Sequence, residues 1–484
     1  MDTTQIFFVI LSYFLVLMAI SYFTSRVSDE ETFFTGNRRS PWVLVAFGMV
    51  GAGLSGVTFV SLPGMVGNNN FHFFQFILGN VVGYLFITFV LVPLYYRLKL
   101  VSIYSYLFNR FGNNTYKTGS LFFLISQSFG AALRLLLAAK ILQFVFFEKI
   151  GSPFPVSVMI ILLMVWLYSY KSGIKTIVWT DTLQTTFLIL GALITFYYVL
   201  TSLDLTFMES IHKISRHRYF EIFNWEGRSD NNFFKQFIAG ILVAIAMIGL
   251  DQNMMQKTLT CKNVWDAQKN TLSYSLILAG TQFLFMGLGI LLYIYAENIG
   301  IVLPLGQDGA LLDTDTLFPE IALNQLSPIT GIFFLLGIIA ASFSSVDSAL
   351  TALTTSFTYD FLDISKKPAR QRKKTKNLVL FGFSIIIFMI IMLFSKSRGD
   401  VISLIFNVAG YTYGPLLGLY LVGMFTRVKV NDRVVPAICL SAPVATYLFS
   451  SYLESHYNFD MGFITIAVNG FLTILGLLLI KIKK

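Results

Sequence analysis

Charge is scarce in this sequence. Only 12% of its 484 residues are Asp, Glu, Lys or Arg, about half of the roughly 25% found in an average soluble protein. So few charges would not coat a soluble globule of this size, and a hydrophobic content of 55% excludes a disordered chain. Cysteine is scarcer still. Cys261 falls in a loop and Cys439 within an apolar run, so neither a disulfide framework nor a metal cluster is indicated. P-loop, CxxC and HExxH motifs are absent, as is any short-period repeat. An enzyme reading therefore has no motif to rest on.

Apolar residues are what the sequence has in excess, with a mean hydropathy of +0.70. They come in blocks of about twenty, the length that crosses a bilayer as a helix. Thirteen such spans are expected, near 4–24, 42–67, 71–96, 119–147, 155–170, 177–203, 233–255, 268–296, 328–360, 378–395, 401–425, 434–453 and 461–481. The chain reads as an all-α polytopic membrane protein of the cell membrane. Its start, Met1-Asp2, lacks the positive residues of a cleavable signal peptide, so the first span is read as retained.

A net charge of +10 would suit nucleic acid, but the positions of the charges argue otherwise. Twenty-five of the 35 Lys and Arg residues fall on one side of the expected spans. They include Arg26, Arg38 and Arg39, Arg97 to Lys117, Lys171 and Lys175, Lys257 to Lys269, a run over 366–376, Arg427 to Arg433, and Lys481 to Lys484. The opposite loops are acidic or mixed, as at Glu297, Asp308, Asp313, Asp315 and Glu320. The positive-inside rule makes the basic side cytoplasmic, with the N-terminus outside and the C-terminus inside. The bilayer is thus the expected partner, with no nucleic acid and no obligate protein partner indicated.

Charges within the spans each cost at least about 2.5–3.5 kcal/mol to insert, so each asks for a reason. Four stand out: Arg134, Lys140, Asp181 and Asp347. The ninth span reads Ala340-Ala341-Ser342-Phe343-Ser344-Ser345-Val346-Asp347-Ser348, and positions 341, 344, 345 and 348 share a helix face. Hydroxyls, carbonyls and a carboxylate there would suit a hard monovalent cation. Packing of small residues explains the serines equally well, but leaves the carboxylate unexplained. The second span carries Gly51-Ala52-Gly53-Leu54-Ser55-Gly56 in its middle. Each glycine weakens a helix by about 1 kcal/mol relative to alanine. A discontinuous helix at the midplane marks many transporter sites, while close helix packing is the plainer account. A weaker counterpart, Gly240 with Gly249-Leu250-Asp251-Gln252, lies in the seventh span.

Five stretches together resemble the sodium:solute symporter family. They are Leu54-Ser55-Gly56-Val57-Thr58-Phe59, Trp179-Thr180-Asp181 with Gln184, Asp251-Gln252-Asn253-Met254-Met255-Gln256-Lys257, Ser344-Ser345-Val346-Asp347-Ser348, and Gly410-Tyr411-Thr412-Tyr413-Gly414-Pro415. The resemblance implies a LeuT-type inverted repeat of five plus five helices, over 42–203 and 233–425. One helix (4–24) would precede it and two (434–481) would follow. It also implies sodium-coupled symport of a small organic solute by alternating access, with sodium as the coupling ion.

Carried over residue by residue, the resemblance places a first sodium at the carbonyls of Gly51 and Leu54 with Ala341, Ser344 and Ser345. A second sodium would lie among Asp181, Ser344, Asp347 and Ser348. Asp347 departs from the family pattern, which commonly has Ser or Thr there, and would either strengthen sodium binding or bring a proton into the cycle. For the solute, the resemblance points to Ser55, Thr58, Arg134 and Gln75, with Asn80 nearby and Gly53 in place of an expected Thr. Arg134 looks like the arginine with which sialic acid symporters bind a carboxylate, which favours an anionic solute such as sialic acid. A neutral sugar, an amino acid or a vitamin is the alternative within this class. A sodium channel or a membrane sensor is more distant, since neither a repeated filter sequence nor a signalling domain is visible.

Overall fold

The computed structural model describes residues 3–25, 38–169, 174–227, 229–301, 303–305, 311–396, 401–457 and 459–482. Among the charges used for orientation, Arg26, Lys171, Asp308, Lys483 and Lys484 lie outside the described residues, as do Met1 and Asp2. The described chain is helical throughout, with only three isolated bridges and no strand. This is the expected outcome in lipid, where every backbone donor must be satisfied within its own segment.

The helices are α1 (Thr3–Ser25), α2 (Trp42–Gly53), α3 (Gly56–Asn69), α4 (Phe73–Arg97), α5 (Asn113–Ile150), α6 (Phe154–Ser169) and α7 (Ile174–Ser202). A short amphipathic α8 (Phe207–Arg216) precedes α9 (Phe233–Gly249), α10 (Gln252–Thr258), α11 (Val264–Asn298) and α12 (Pro328–Asp360). The last four are α13 (Ala369–Phe394), α14 (Val401–Phe425), α15 (Val435–Tyr457) and α16 (Gly462–Leu479). Each expected span coincides with a helix or a bent helix pair. Ten are long and apolar enough to cross alone, α2–α3 and α9–α10 do so as bent pairs, and α6 is a shorter apolar helix.

Local chemistry sets where these helices begin. Asn263 accepts the amide of Asp266 at 2.8 Å to start α11, and Ser327 accepts that of Ile329 before Pro328 opens α12. Such caps are each worth about 1 kcal/mol. Within the bundle, Ser342, Ser345, Thr355 and Thr358 donate back to the carbonyl four residues earlier, which hides their hydroxyls from an apolar surrounding.

Burial separates a core from a lipid-facing shell. In the most apolar stretch of α12, 78% of residues are buried, against 22% for α1 and α15. Around α12 pack α7, α5 and both halves α2 and α3, so the serine helix sits at the centre. The crossing of α4 and α9 depends on Gly79 and Gly240, where an added Cβ would overlap a backbone carbonyl of the other helix. Outer helices instead present bulky apolar groups such as Leu393 and Phe23 to the surface, as lipid contact requires.

Candidate functional site

Two bent helices frame the site. The α2–α3 pair turns by 60° at Leu54 and Ser55, and the α9–α10 pair turns by 69° at Leu250 and Asp251. The first break follows the glycine run anticipated from the sequence. The second has no such run. There the chain is turned by a π-helical segment over 245–249 and by Asp251, whose carboxylate caps the amide of Met254 at 3.1 Å.

The freed carbonyls are treated differently at the two breaks. At the second, Tyr95 donates to the carbonyl of Gly249 at 2.8 Å and Tyr104 to that of Leu250 at 2.9 Å. At the first, the amide of Leu54 bonds to Val50, and Ser55 accepts the amide of Thr58. Yet among the described residues no hydrogen bond reaches the carbonyls of Gly51 or Leu54, both of which are buried. A buried carbonyl without a donor is costly, and a cation is the natural way to satisfy several at once.

Beside this break runs the serine face of α12. Ser345 donates to the carbonyl of Ala341 at 2.9 Å, which leaves lone pairs on both oxygens. The close packing of α3 on α12 is local: a Cβ at Gly56 would meet the Ser342 hydroxyl at 2.8 Å. On the other side, α7 holds the end of α2, since the Gly51 amide donates to Thr185 Oγ1 at 2.9 Å. The end of α2 is thus tied to α7 at Gly51, and the start of α3 is packed on α12 at Gly56.

Ser344 points elsewhere. Its hydroxyl donates to Asp181 Oδ1 at 2.5 Å, and Lys257 Nζ pairs with Asp181 Oδ2 at 2.7 Å. Both charged side chains are 1% exposed. Lys257 is not one of the cytoplasmic loop charges that the sequence pattern suggests: it lies in the last turn of α10, buried inside the protein. The hydropathy of a short polar segment cannot reveal that its lysine is swallowed by a neighbouring carboxylate. Asp347 lies close enough to interact by charge with both Asp181 and Lys257, though no hydrogen bond joins the two carboxylates among the described residues. It accepts from Tyr168 at 2.7 Å and from Ser348 at 3.2 Å. A further carboxylate at the end of α12, Asp360, is saturated by four hydroxyls, from Tyr116, Ser102, Ser120 and Ser356. It serves as an anchor.

A cavity opens between the two breaks. It is lined by Gly53, Ser55 and Thr58 from the first break, Asp251 and Asn253 from the second, and Gln127 and Arg134 from α5. Arg134 makes no hydrogen bond or ion pair among the described residues. Three further lining groups, Asn80 Oδ1, Gln127 Nε2 and Gln282 Oε1, are buried polar atoms without a hydrogen-bond partner among the described residues. Tyr413 lines the cavity as well and donates to Asp251 at 2.6 Å. Of the expected solute residues, Ser55, Thr58 and Arg134 reach this cavity and Gln75 does not. Gln75 is fully buried, donates to the carbonyls of His72 and Asn231 at 3.0 Å each, and accepts the Asn224 amide at 3.1 Å. It staples a surface loop, and Asn80, five residues on, lines the cavity instead. Gln127 was within reach of sequence reasoning, since it stands two turns from Arg134 on the same face.

A model of the sodium:solute symporter family matches residues 33–433. The chain belongs to that family. Members similar to it include the sodium/sialic acid symporter NanT of Aliivibrio fischeri, 22% identical over 96% of this chain and 91% of that protein. The human sodium/iodide cotransporter is 24% identical over 82% of this chain and 61% of its own length. Among solved structures, a substrate-bound, outward-open sodium-coupled sialic acid symporter superposes with a TM-score of 0.82 at 20% identity, covering 98% and 97% of the two chains. The nucleobase–cation symporter Mhp1, closed with bromovinylhydantoin bound, superposes at 0.52 and 15% identity, over 92% of each chain. The fold is therefore the LeuT-type architecture that the resemblance implied. This family member is a multi-pass cell-membrane transporter and not an enzyme, and its activity is sodium-coupled solute symport.

Proposed function

We propose that the transporter imports a carboxylate-bearing, hydroxyl-rich solute of the sialic acid class, driven by sodium bound at the first helix break. The observation that carries the solute class is the guanidinium of Arg134, which lines the central cavity together with Asp251 and makes no hydrogen bond or close ion pair among the described residues. Guanidinium offers planar paired donors that match both oxygens of a carboxylate. Asn80, Gln127 and Gln282 add unmatched polar atoms suited to hydroxyl or amide groups. A neutral sugar would leave the guanidinium without a direct charged partner, with only the longer-range attraction of Asp251.

Coupling follows from the position of the break. Sodium at the carbonyls of Gly51 and Leu54, with Ala341 and Ser345 opposite, would hold the bend in one geometry. Ser55 and Thr58, which line the cavity, follow the bend directly. Ordering the bend therefore orders part of the solute's own surroundings, and by linkage the solute tightens sodium binding in return. The repeats assigned to this cycle are 42–203 and 233–425, with 4–24 before them and 434–481 after. The near-equal bends of 60° and 69° at corresponding positions support that division. The basic side is assigned to the cytoplasm, within a lipid bilayer.

Uptake of N-acetylneuraminic acid into proteoliposomes under an inward sodium gradient tests the reading. Accumulation that disappears when sodium is replaced by choline is expected. Equal uptake without sodium would overturn the coupling, and uptake of glucose that the acid does not compete with would overturn the solute class.

A further inference from the structure

Lys257 pairs with Asp181, the carboxylate to which the family resemblance assigns a second sodium ion. Its ammonium lies 2.7 Å from Asp181 Oδ2, while Ser344 donates to Asp181 Oδ1 at 2.5 Å. With its amide turned, Gln184 adds a third donor at 3.2 Å from the same Oδ1. The carboxylate is thus surrounded by an ammonium, a hydroxyl and an amide, all inside the protein. Three elements meet there: Lys257 lies in the last turn of α10, Asp181 belongs to α7 and Ser344 to α12.

We propose that Lys257 is a resident cation that takes the place of the second sodium ion in the Asp181–Ser344 pocket, so that one sodium is bound per chain and one travels with each solute. The inference rests on the sodium-symport reading above. An ammonium carries the same single positive charge as sodium, and being tethered it needs no uptake from solution. Sodium entering the pocket would displace it and leave a buried lysine unpaired, which is strongly unfavourable. Sodium also requires several oxygen lone pairs, whereas the Asp181 oxygens already accept from three donors. The charge link from α10 to α7 and α12 is therefore permanent in composition, where a sodium-filled pocket would empty in every cycle. With a monovalent anion as solute, one sodium per cycle makes transport electroneutral.

Equilibrium binding of radioactive sodium (22Na+) to the detergent-purified protein counts the ions without any solute. One ion per chain is expected in the wild type. Ser345→Ala should weaken its binding about tenfold, whereas the neutral pair Asp181→Asn with Lys257→Met should leave both the count of one and its affinity unchanged. Lys257→Arg should also bind one, and Lys257→Met alone, which frees the carboxylate, should bind two. Two ions in the wild type, or loss of the single ion in the neutral pair with unchanged sodium affinity in Ser345→Ala, would overturn the proposal. Should Lys257→Met fail to fold, the wild type, Ser345→Ala and the neutral pair still decide. No sodium bound in the wild type would instead refute the sodium-symport reading itself. In proteoliposomes clamped at zero potential, a tenfold sodium gradient should concentrate N-acetylneuraminic acid tenfold at most, and a hundredfold limit would refute the single-ion stoichiometry.

Discussion

The hydroxyl of Thr185 accepts the Gly51 amide at 2.9 Å, and the same hydroxyl donates to the Asp181 carbonyl at 2.8 Å. One threonine thus fastens the last turn of α2 to α7, next to the carbonyls assigned to sodium. Thr185→Val keeps the shape and removes the acceptor. A buried amide left unmatched costs about 1–3 kcal/mol. The expected result is a sodium half-saturation raised roughly 5- to 100-fold in uptake assays, with the solute KM at saturating sodium little changed.

Ser345 is the side-chain oxygen assigned to the first break, and among the described residues it bonds only to its own helix. Ser345→Ala should raise the sodium needed for half-maximal uptake about tenfold, equivalent to about 1.4 kcal/mol. An unchanged sodium dependence would remove Ser345 from the site.

Arg134→Gln removes the charge while keeping hydrogen-bonding capacity. Hydrogen bonds to charged groups contribute about 1.5–3 kcal/mol, so KM for N-acetylneuraminic acid should rise roughly 10- to 100-fold. Sodium binding without solute should be unaffected, since Arg134 lies in the cavity and outside the break. A variant that transports the acid normally would show that the guanidinium is structural.

Gln75→Leu separates stapling from solute contact. It breaks three hydrogen bonds, two of which tie α4 to the loop at Asn224 and Asn231 and one of which holds the His72 carbonyl at the start of α4. Thermal unfolding should occur at lower temperature, by about 1–3 kcal/mol or more of lost stability. KM for the solute should stay within about twofold, because the side chain does not line the cavity.

Cys261 lies in the loop between α10 and α11 with its side chain fully buried, and burial pushes its thiol up to about 12. A raised pKa means less thiolate, so at pH 8 only about one thiol in ten thousand is ionised. N-ethylmaleimide should therefore leave the native protein unlabelled at pH 8, as Cys439 is buried too, and label both cysteines after denaturation. Mass spectrometry of the intact protein reads the count.

Some of this protein is written along the chain and some is not. The spans, and the weakness of the second one at Gly51 to Gly56, are local properties: about twenty consecutive apolar residues, and glycines that do not hold a helix. Arg134 and Asp181 could be singled out for the same reason, since a charge in an apolar run is conspicuous without any knowledge of its neighbours. The second break was barely legible, because a capping carboxylate at Asp251 and two tyrosine hydroxyls from distant segments replace a glycine signal there. Gln75 and Asn80 differ by five residues and read alike as polar groups in a span. Only the packing of α4 against α9 turns one to the loop and the other to the cavity. Lys257 read as an orienting charge and became the partner of a carboxylate 76 residues away. Hydropathy decides which segments enter the bilayer, because it sums over neighbours in sequence. Which charges neutralise one another inside it is decided by helix packing, and only the tertiary structure contains that.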